Sequence, residues 1–72
     1  MHYAYVLKKK RGDFYIGYTA DLKRRLVEHQ KEWPCELVYY EAYQSEKSAR
    51  DRERKLKYYG SAWRALRTRI NA

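Results

Sequence analysis

The sequence predicts an α+β domain with the element order β-β-α-β-α-α, and three observations predict it. Apolar and polar residues alternate through residues 2–8 and again through 14–18, on either side of a charged turn that contains Gly12. A third β-rich stretch, Leu37-Val38-Tyr39-Tyr40, follows a segment with helical spacing. Beyond it, apolar side chains return at helical intervals behind two serines, Ser45 and Ser61, in capping positions.

The elements follow in order. Residues 2–8 make a strand with Tyr3, Tyr5 and Leu7 on one face and Ala4 and Val6 on the other. Lys9-Lys10-Arg11-Gly12-Asp13 is a charged turn whose glycine accepts an unusual backbone angle. Residues 14–18 supply the second strand, so the two form a β-hairpin. Thr19 is the expected N-cap of the first helix, with Asp21 favourably placed in its first turn. This helix runs to about Lys31, its inner stripe made by Leu22, Leu26 and position 29. Trp33-Pro34 stops it. Residues 36–43 form the third strand, and its unbroken apolar run predicts cover on both faces. Ser45 caps a second helix that extends to about Tyr59, Gly60 ends it, and Ser61 caps the last. In that last helix Trp63, Leu66 and Ile70 face inward, and Arg64, Arg67 and Arg69 face mostly outward. No repeat, linker or composition break divides the chain, so residues 1–72 read as one domain.

A chain of 72 residues buries a thin core. Nine Tyr, two Trp and one Phe suit it, because each ring covers a large area. The net charge of +8 favours a polyanionic partner. It is uneven: residues 1–44 carry eight basic and six acidic side chains, residues 45–72 nine and three. No apolar run approaches the roughly 20 residues of a spanning helix. The alternating start is unlike a signal peptide. Cys35 stands alone, which excludes an internal disulfide or a cysteine metal cluster, and it reads as a packed small residue. A cytoplasmic protein without membrane contacts is expected.

Three polar residues stand against this pattern. His29 falls on the Leu22–Leu26 stripe, where a helix buries apolar groups. Arg25 lies one turn before it. Glu53, between Ala49 and Leu56, borders the buried side of the second helix, where a carboxylate is costly without a partner. Each has an ordinary explanation as well. His29 could be a satisfied core histidine, Arg25 a charge lying over the sheet, and Glu53 a partner for Lys57 at the i, i+4 spacing. Their coincidence with tyrosines on paired strands points to a site.

These same residues resemble a known family. Tyr15-Ile16-Gly17, then Thr19-Ala20-Asp21-Leu22-Lys23-Arg24-Arg25-Leu26 and Glu28-His29, are similar to the GIY-YIG domain of homing endonucleases and of the excinuclease C subunit. Small stand-alone bacterial members look most similar, with a segment like Leu37-Val38-Tyr39-Tyr40-Glu41 followed by a helix carrying Ala49, Glu53 and Lys57. The resemblance implies a three-stranded antiparallel sheet flanked by helices. It makes Tyr5 and Tyr15 the tyrosines of the two motifs and Gly17 the closing glycine. Arg25 and His29 become the helix residues facing the reacting phosphate, and Glu53 the metal-binding carboxylate. The first motif departs from the pattern, reading Tyr3-Ala4-Tyr5 without a glycine. The segment between His29 and the third strand is short, and Asn71 is too near the chain end to take the role of a late asparagine found in some relatives.

The chemistry this implies is phosphodiester hydrolysis in nucleic acid, with DNA the expected target. One carboxylate suits one hard cation that keeps several waters, Mg²⁺ or Mn²⁺. Tyr5, its pKa lowered by nearby cations, is expected to take a proton from water. Arg25 stabilises developing charge, and Tyr15 and His29 orient the water or the phosphate. Phosphate contacts are expected from Lys8, Lys9, Lys10 and Arg11 at the hairpin tip, from Lys23 and Arg24, and from Arg54, Lys57 and the arginines of the last two helices. A non-catalytic basic nucleic-acid-binding module is the alternative, and a small interaction domain a third reading. A monomer or weak dimer fits each of them.

Overall fold

The computed structural model describes residues 1–70; Asn71 and the end of the predicted domain lie outside the described residues. Strands β1 (His2–Lys9), β2 (Phe14–Thr19) and β3 (Cys35–Tyr43) form one antiparallel sheet in the order β2-β1-β3. Helices α1 (Leu22–Glu32), α2 (Glu46–Tyr58) and α3 (Gly60–Ile70) cover it. Fold class and element order are those the sequence predicts.

The central strand is the one covered on both faces. Ala4, Tyr5, Val6 and Leu7 are at most 1% exposed. Alternation along β1 assigns the two faces. Val6 packs with Leu56 of α2 and Leu66 of α3, joined by Phe14, Ile16, Trp63 and Ile70, so α2 and α3 lie on the Ala4–Val6 face. Tyr5 meets His29, so α1 lies on the opposite face with Tyr5 and Leu7.

The third strand corrects one expectation. It is an edge strand, none of its residues is fully buried, and Tyr40 is 53% exposed. Its apolar run has a different cause. Val6 faces Tyr39 while Leu7 faces Leu37, so the register shifts and Val38 is the extra residue of a bulge. The bulge lets consecutive residues, Val38 and Tyr39, both pack toward the core under α2 and α3.

Caps account for two more differences. Asp21, not Thr19, is the N-cap of α1; its carboxylate accepts from the Arg24 amide at 3.1 Å. Thr19 instead accepts from the Asp21 amide at 3.1 Å, which turns the chain out of β2. Ser45 caps α2 as expected, accepting from the Ser48 amide. At the far end Tyr59 is the C-cap, and α3 already begins at Gly60. Gly60 thus opens a helix instead of ending one, and Ser61, the expected cap of α3, lies inside that helix. Gly12 does what its place predicts, with φ of +104° in the hairpin turn.

On the α2 face, the Glu41 carboxylate accepts from the hydroxyls of Tyr39 and Tyr43 and from Arg52 of α2 at 3.0 Å. These three partners hold its carboxyl below the ordinary range against the opposing effect of burial. Tyr43, which donates to that carboxylate, is pushed up to about 12 by burial and by the carboxylate itself. The cluster ties α2 to the β3 edge.

Candidate active site

Three elements of the chain, β1, β2 and α1, meet on the α1 side of the sheet. Tyr5 points from the middle of β1 into the interface with α1, and its hydroxyl lies 2.9 Å from Nε2 of His29. His29 is there because it continues the inner stripe of α1; it is 6% exposed. Tyr15 of β2 flanks both, with ring centroids 6.3 Å from Tyr5 and 4.9 Å from His29.

Gly17 sits opposite Tyr5 in the β1–β2 ladder. A Cβ at this position would stand 2.5 Å from both Cζ and the hydroxyl oxygen of Tyr5 and 3.0 Å from Tyr15. The phenol therefore lies across the bare α-carbon of Gly17 toward the β2 edge. The space this closing glycine leaves is filled by Tyr5.

Burial dominates the electrostatics of this pair. It pushes the Tyr5 phenol above its ordinary pKa, opposed by the Arg25 guanidinium and assisted by the neighbouring Tyr15 and Glu53. This corrects the expectation that cations would lower Tyr5: desolvation of a phenolate in so closed a site outweighs the attraction of Arg25. Burial also lowers His29, with Arg25 adding to the effect and Glu32 and Glu28 opposing it. Both groups are neutral near pH 7. A neutral imidazole that accepts the Tyr5 proton at Nε2 carries its own on Nδ1, and Nδ1 is buried with no hydrogen-bond partner among the described residues.

Arg25, exposed one turn before His29, is steadied by Glu28 at 3.2 Å. Glu28 also holds Arg24 at 3.3 Å, so one carboxylate orients two arginines on this face.

Glu53 arrives from the other face. It belongs to α2, on the flank between the buried Ala49 and Leu56 and the β2-facing Arg50, whose guanidinium is 4.5 Å over the Tyr18 ring. Its side chain is 22% exposed and one carboxylate oxygen is 3.0 Å from Nζ of Lys57, the pairing that the sequence also allowed. Glu53 makes no hydrogen bond to either tyrosine among the described residues, but its charge reaches the Tyr5 phenol. No group of three or more His, Cys, Asp or Glu side chains converges among the described residues. The donor set is thus a single, partly buried carboxylate. Such a donor fits one hard cation that retains most of its waters, and does not fit a closed protein cage.

The basic residues divide by partner. Lys9 and Arg11 share Asp13, Arg54 pairs with Asp51, and Lys57 with Glu53. Lys8, Lys10 and Lys23 are exposed and make no ion pair among the described residues.

Sequence reasoning missed Trp33, read only as a helix stop. Its ring lies 5.0 Å from His29 and 5.7 Å from Tyr15, which extends the aromatic cluster outward. The signal was present, since Trp33 follows His29 by four residues and continues its helix face.

No described helix is long and apolar enough to cross a membrane. Comparison with known proteins agrees with the geometry. The family profile described as the GIY-YIG catalytic domain matches residues 1–60. A UPF0213 protein of Staphylococcus saprophyticus is 31% identical, over 81% of this chain and 82% of that protein. A UPF0213 protein of Natronomonas pharaonis is 35% identical, over 99% of this chain and 91% of its own length. The solution structure of the UPF0213 protein BH0048 from Bacillus halodurans has a TM-score of 0.56 and 34% identity, covering 78% of this chain and 69% of that one. With the motif tyrosines, the closing glycine and the Arg25–His29 helix face assembled in one place, and a family match over most of its length, the chain belongs to the GIY-YIG family of nuclease domains.

Proposed function

We propose that this protein is an endonuclease that hydrolyses phosphodiester bonds in DNA, with one divalent cation, Mg²⁺ or Mn²⁺, held by Glu53. The observation that carries the reading is the neutral Tyr5–His29 pair, bonded at 2.9 Å over Gly17 with Arg25 beside it. A core histidine kept only for packing needs no phenol and no guanidinium at its rim.

The raised pKa of Tyr5 changes how it works. A free phenolate is scarce at neutral pH, so Tyr5 acts through its partner. The hydroxyl oxygen accepts a proton from the attacking water as its own proton passes to Nε2 of His29. Glu28 and Glu32 on the same helix favour the imidazolium that results. Arg25, at the edge of this pair, neutralises charge that develops on the phosphate oxygens. Tyr15, packed on His29, fixes the imidazole's orientation. The cation, when bound at Glu53, supplies charge neutralisation on the phosphate and on the leaving oxygen. Lys57, paired with Glu53 at 3.0 Å, would be released to meet phosphate were a cation held by that carboxylate. The exposed Lys8, Lys10, Lys23, Arg24 and Arg54 supply non-specific contacts to the backbone, which position the strand without reading sequence.

A plasmid-nicking assay with the purified chain tests this. Nicking is expected in Mg²⁺ or Mn²⁺, none in chelator, and a loss of about a hundredfold or more in Arg25→Ala. Full activity in a folded Arg25→Ala protein would reject the role given to this arginine.

A further inference from the structure

The hairpin tip and the end of α1 enclose a groove that the proposed chemistry leaves unused. It is about 530 Å³ and mostly apolar, and it is lined by Lys9, Lys10, Arg11, Trp33 and Pro34. A backbone hydrogen bond of 3.1 Å, from the Lys10 amide to the Pro34 carbonyl, fixes one wall to the other. Its floor is the Trp33 ring, whose other neighbours are His29 and Tyr15. Its rim is cationic: Arg11 has an 89% exposed side chain, Lys10 is exposed, and Lys9 rests 4.7 Å over the Trp33 centroid. A flat aromatic floor beneath a cationic rim is complementary to a flat apolar ring joined to an anion.

We infer that this groove is a nucleobase subsite: it holds the unpaired base of a nucleotide next to the reacting phosphate, stacked on Trp33 and against Pro34, with that nucleotide's phosphate on Lys10 and Arg11. The inference rests on the nuclease reading and deepens it. Continuity carries it: Trp33 packs directly on His29, so a base on Trp33 belongs to the strand whose phosphate meets Arg25 and Tyr5. Lys9, itself paired with Asp13, rests on the ring in the free protein through a partly exposed cation–π contact, which is weaker than base stacking. The incoming phosphate offers its ammonium a better partner. A base paired within a duplex has its faces covered by neighbouring pairs, so the subsite selects a flipped, frayed or single-stranded nucleotide.

The test uses binding, which needs no cleavage. A short single-stranded oligodeoxynucleotide is titrated against the full chain in chelator, and Trp fluorescence and affinity are followed together. A series in which one residue at a time is abasic is compared with the intact oligomer. The expected result is quenching by the intact oligomer and a roughly tenfold weaker affinity when one particular position is abasic. Trp33→Ala should lose a similar factor and Trp33→Phe should retain most of the binding. Lys10→Ala with Arg11→Ala should weaken all oligomers alike. Equal affinity for every abasic oligomer would overturn the subsite, and so would unchanged binding by a folded Trp33→Ala protein. Because the abasic series leaves the protein untouched, a misfolded variant cannot imitate either result. Stacking without metal-dependent nicking would keep the subsite and reject the nuclease; nicking without stacking would do the reverse.

Discussion

The Tyr5 hydroxyl and Nε2 of His29 stand 2.9 Å apart, joining the central strand to the helix on one face of the sheet, and the phenol reaches that position by lying across Gly17. The contact is buried, and both partners are neutral at rest. Most of what can be tested in this molecule follows from it.

Removing the hydroxyl alone should separate chemistry from packing. Tyr5→Phe keeps the ring that fills the space over Gly17, and leaves Nε2 of His29 without its partner. Cleavage should fall by about 10²-fold or more, with a stability loss of about 1–2 kcal/mol. Single-turnover cleavage and urea denaturation of the same preparation measure both. Near-normal cleavage by Tyr5→Phe would remove Tyr5 from the reaction.

Gly17→Ala places a methyl where the end of the Tyr5 ring lies. The ring is 1% exposed and has nowhere to retreat without breaking its bond to His29. A destabilisation of about 1–3 kcal/mol is expected from overpacking, together with a change in the His29 imidazole resonances by NMR. An alanine variant with unaltered His29 resonances would mean that the crowding is relieved elsewhere.

Acidification should act in two windows. His29 titrates below its ordinary 6.5 in the folded protein because burial and Arg25 disfavour its charge. The unfolded chain therefore takes up that proton first, so stability contributed by neutral His29 is complete above 6.5 and falls as pH drops through the folded value. Nuclease activity should fall over the same lower range as Nε2 ceases to accept. Glu41, held below 4.5 by Tyr39, Tyr43 and Arg52, adds a second loss at more acid pH. Denaturation midpoints from about pH 2 to 8 for the parent and for His29→Gln check the sign: the variant should lack the upper limb and keep the lower.

Glu41→Gln tests the other face. It weakens the acceptor shared by two tyrosines and Arg52, and should cost about 2 kcal/mol. Oligonucleotide affinity of the folded fraction should hold, because the cluster lies across the sheet from Tyr5 and Trp33. A thermal melt and a binding isotherm decide it. A large loss of affinity at full folding would show that the two faces are coupled through α2.

How far the sequence could be read depended on whether a feature was local. Alternation and helical spacing located every element, though of the expected caps only Ser45 holds, and helical phase picked out His29 as a polar residue on an inner stripe. What failed needed tertiary context. The run Leu37-Val38-Tyr39-Tyr40 suggested a strand covered on both faces, but strand order was not in the pattern, and the central strand is β1. A bulge explains the run, and its position emerges only from the pairing of Val6 and Leu7 with β3. Thr19 and Asp21 are both good caps, and choosing between them required the geometry of the turn. For Tyr5 the residue was legible and the sign of its pKa shift was not, because the neighbouring cation is visible in sequence and the depth of burial is not. Trp33 reads as a helix stop, and that reading holds; its packing on His29 goes unread, although the spacing of four residues carries it.

Nicking of plasmid DNA by wild-type protein and by Glu53→Gln, in Mg²⁺ and in Mn²⁺, bears most directly on the account. The substitution keeps the size of the side chain and removes the charge that Lys57 balances at 3.0 Å. Metal-dependent nicking by the wild type and a loss of at least about a hundredfold in a folded Glu53→Gln protein is the predicted outcome. Equal nicking by the two proteins, or none by the wild type in either metal, would contradict it.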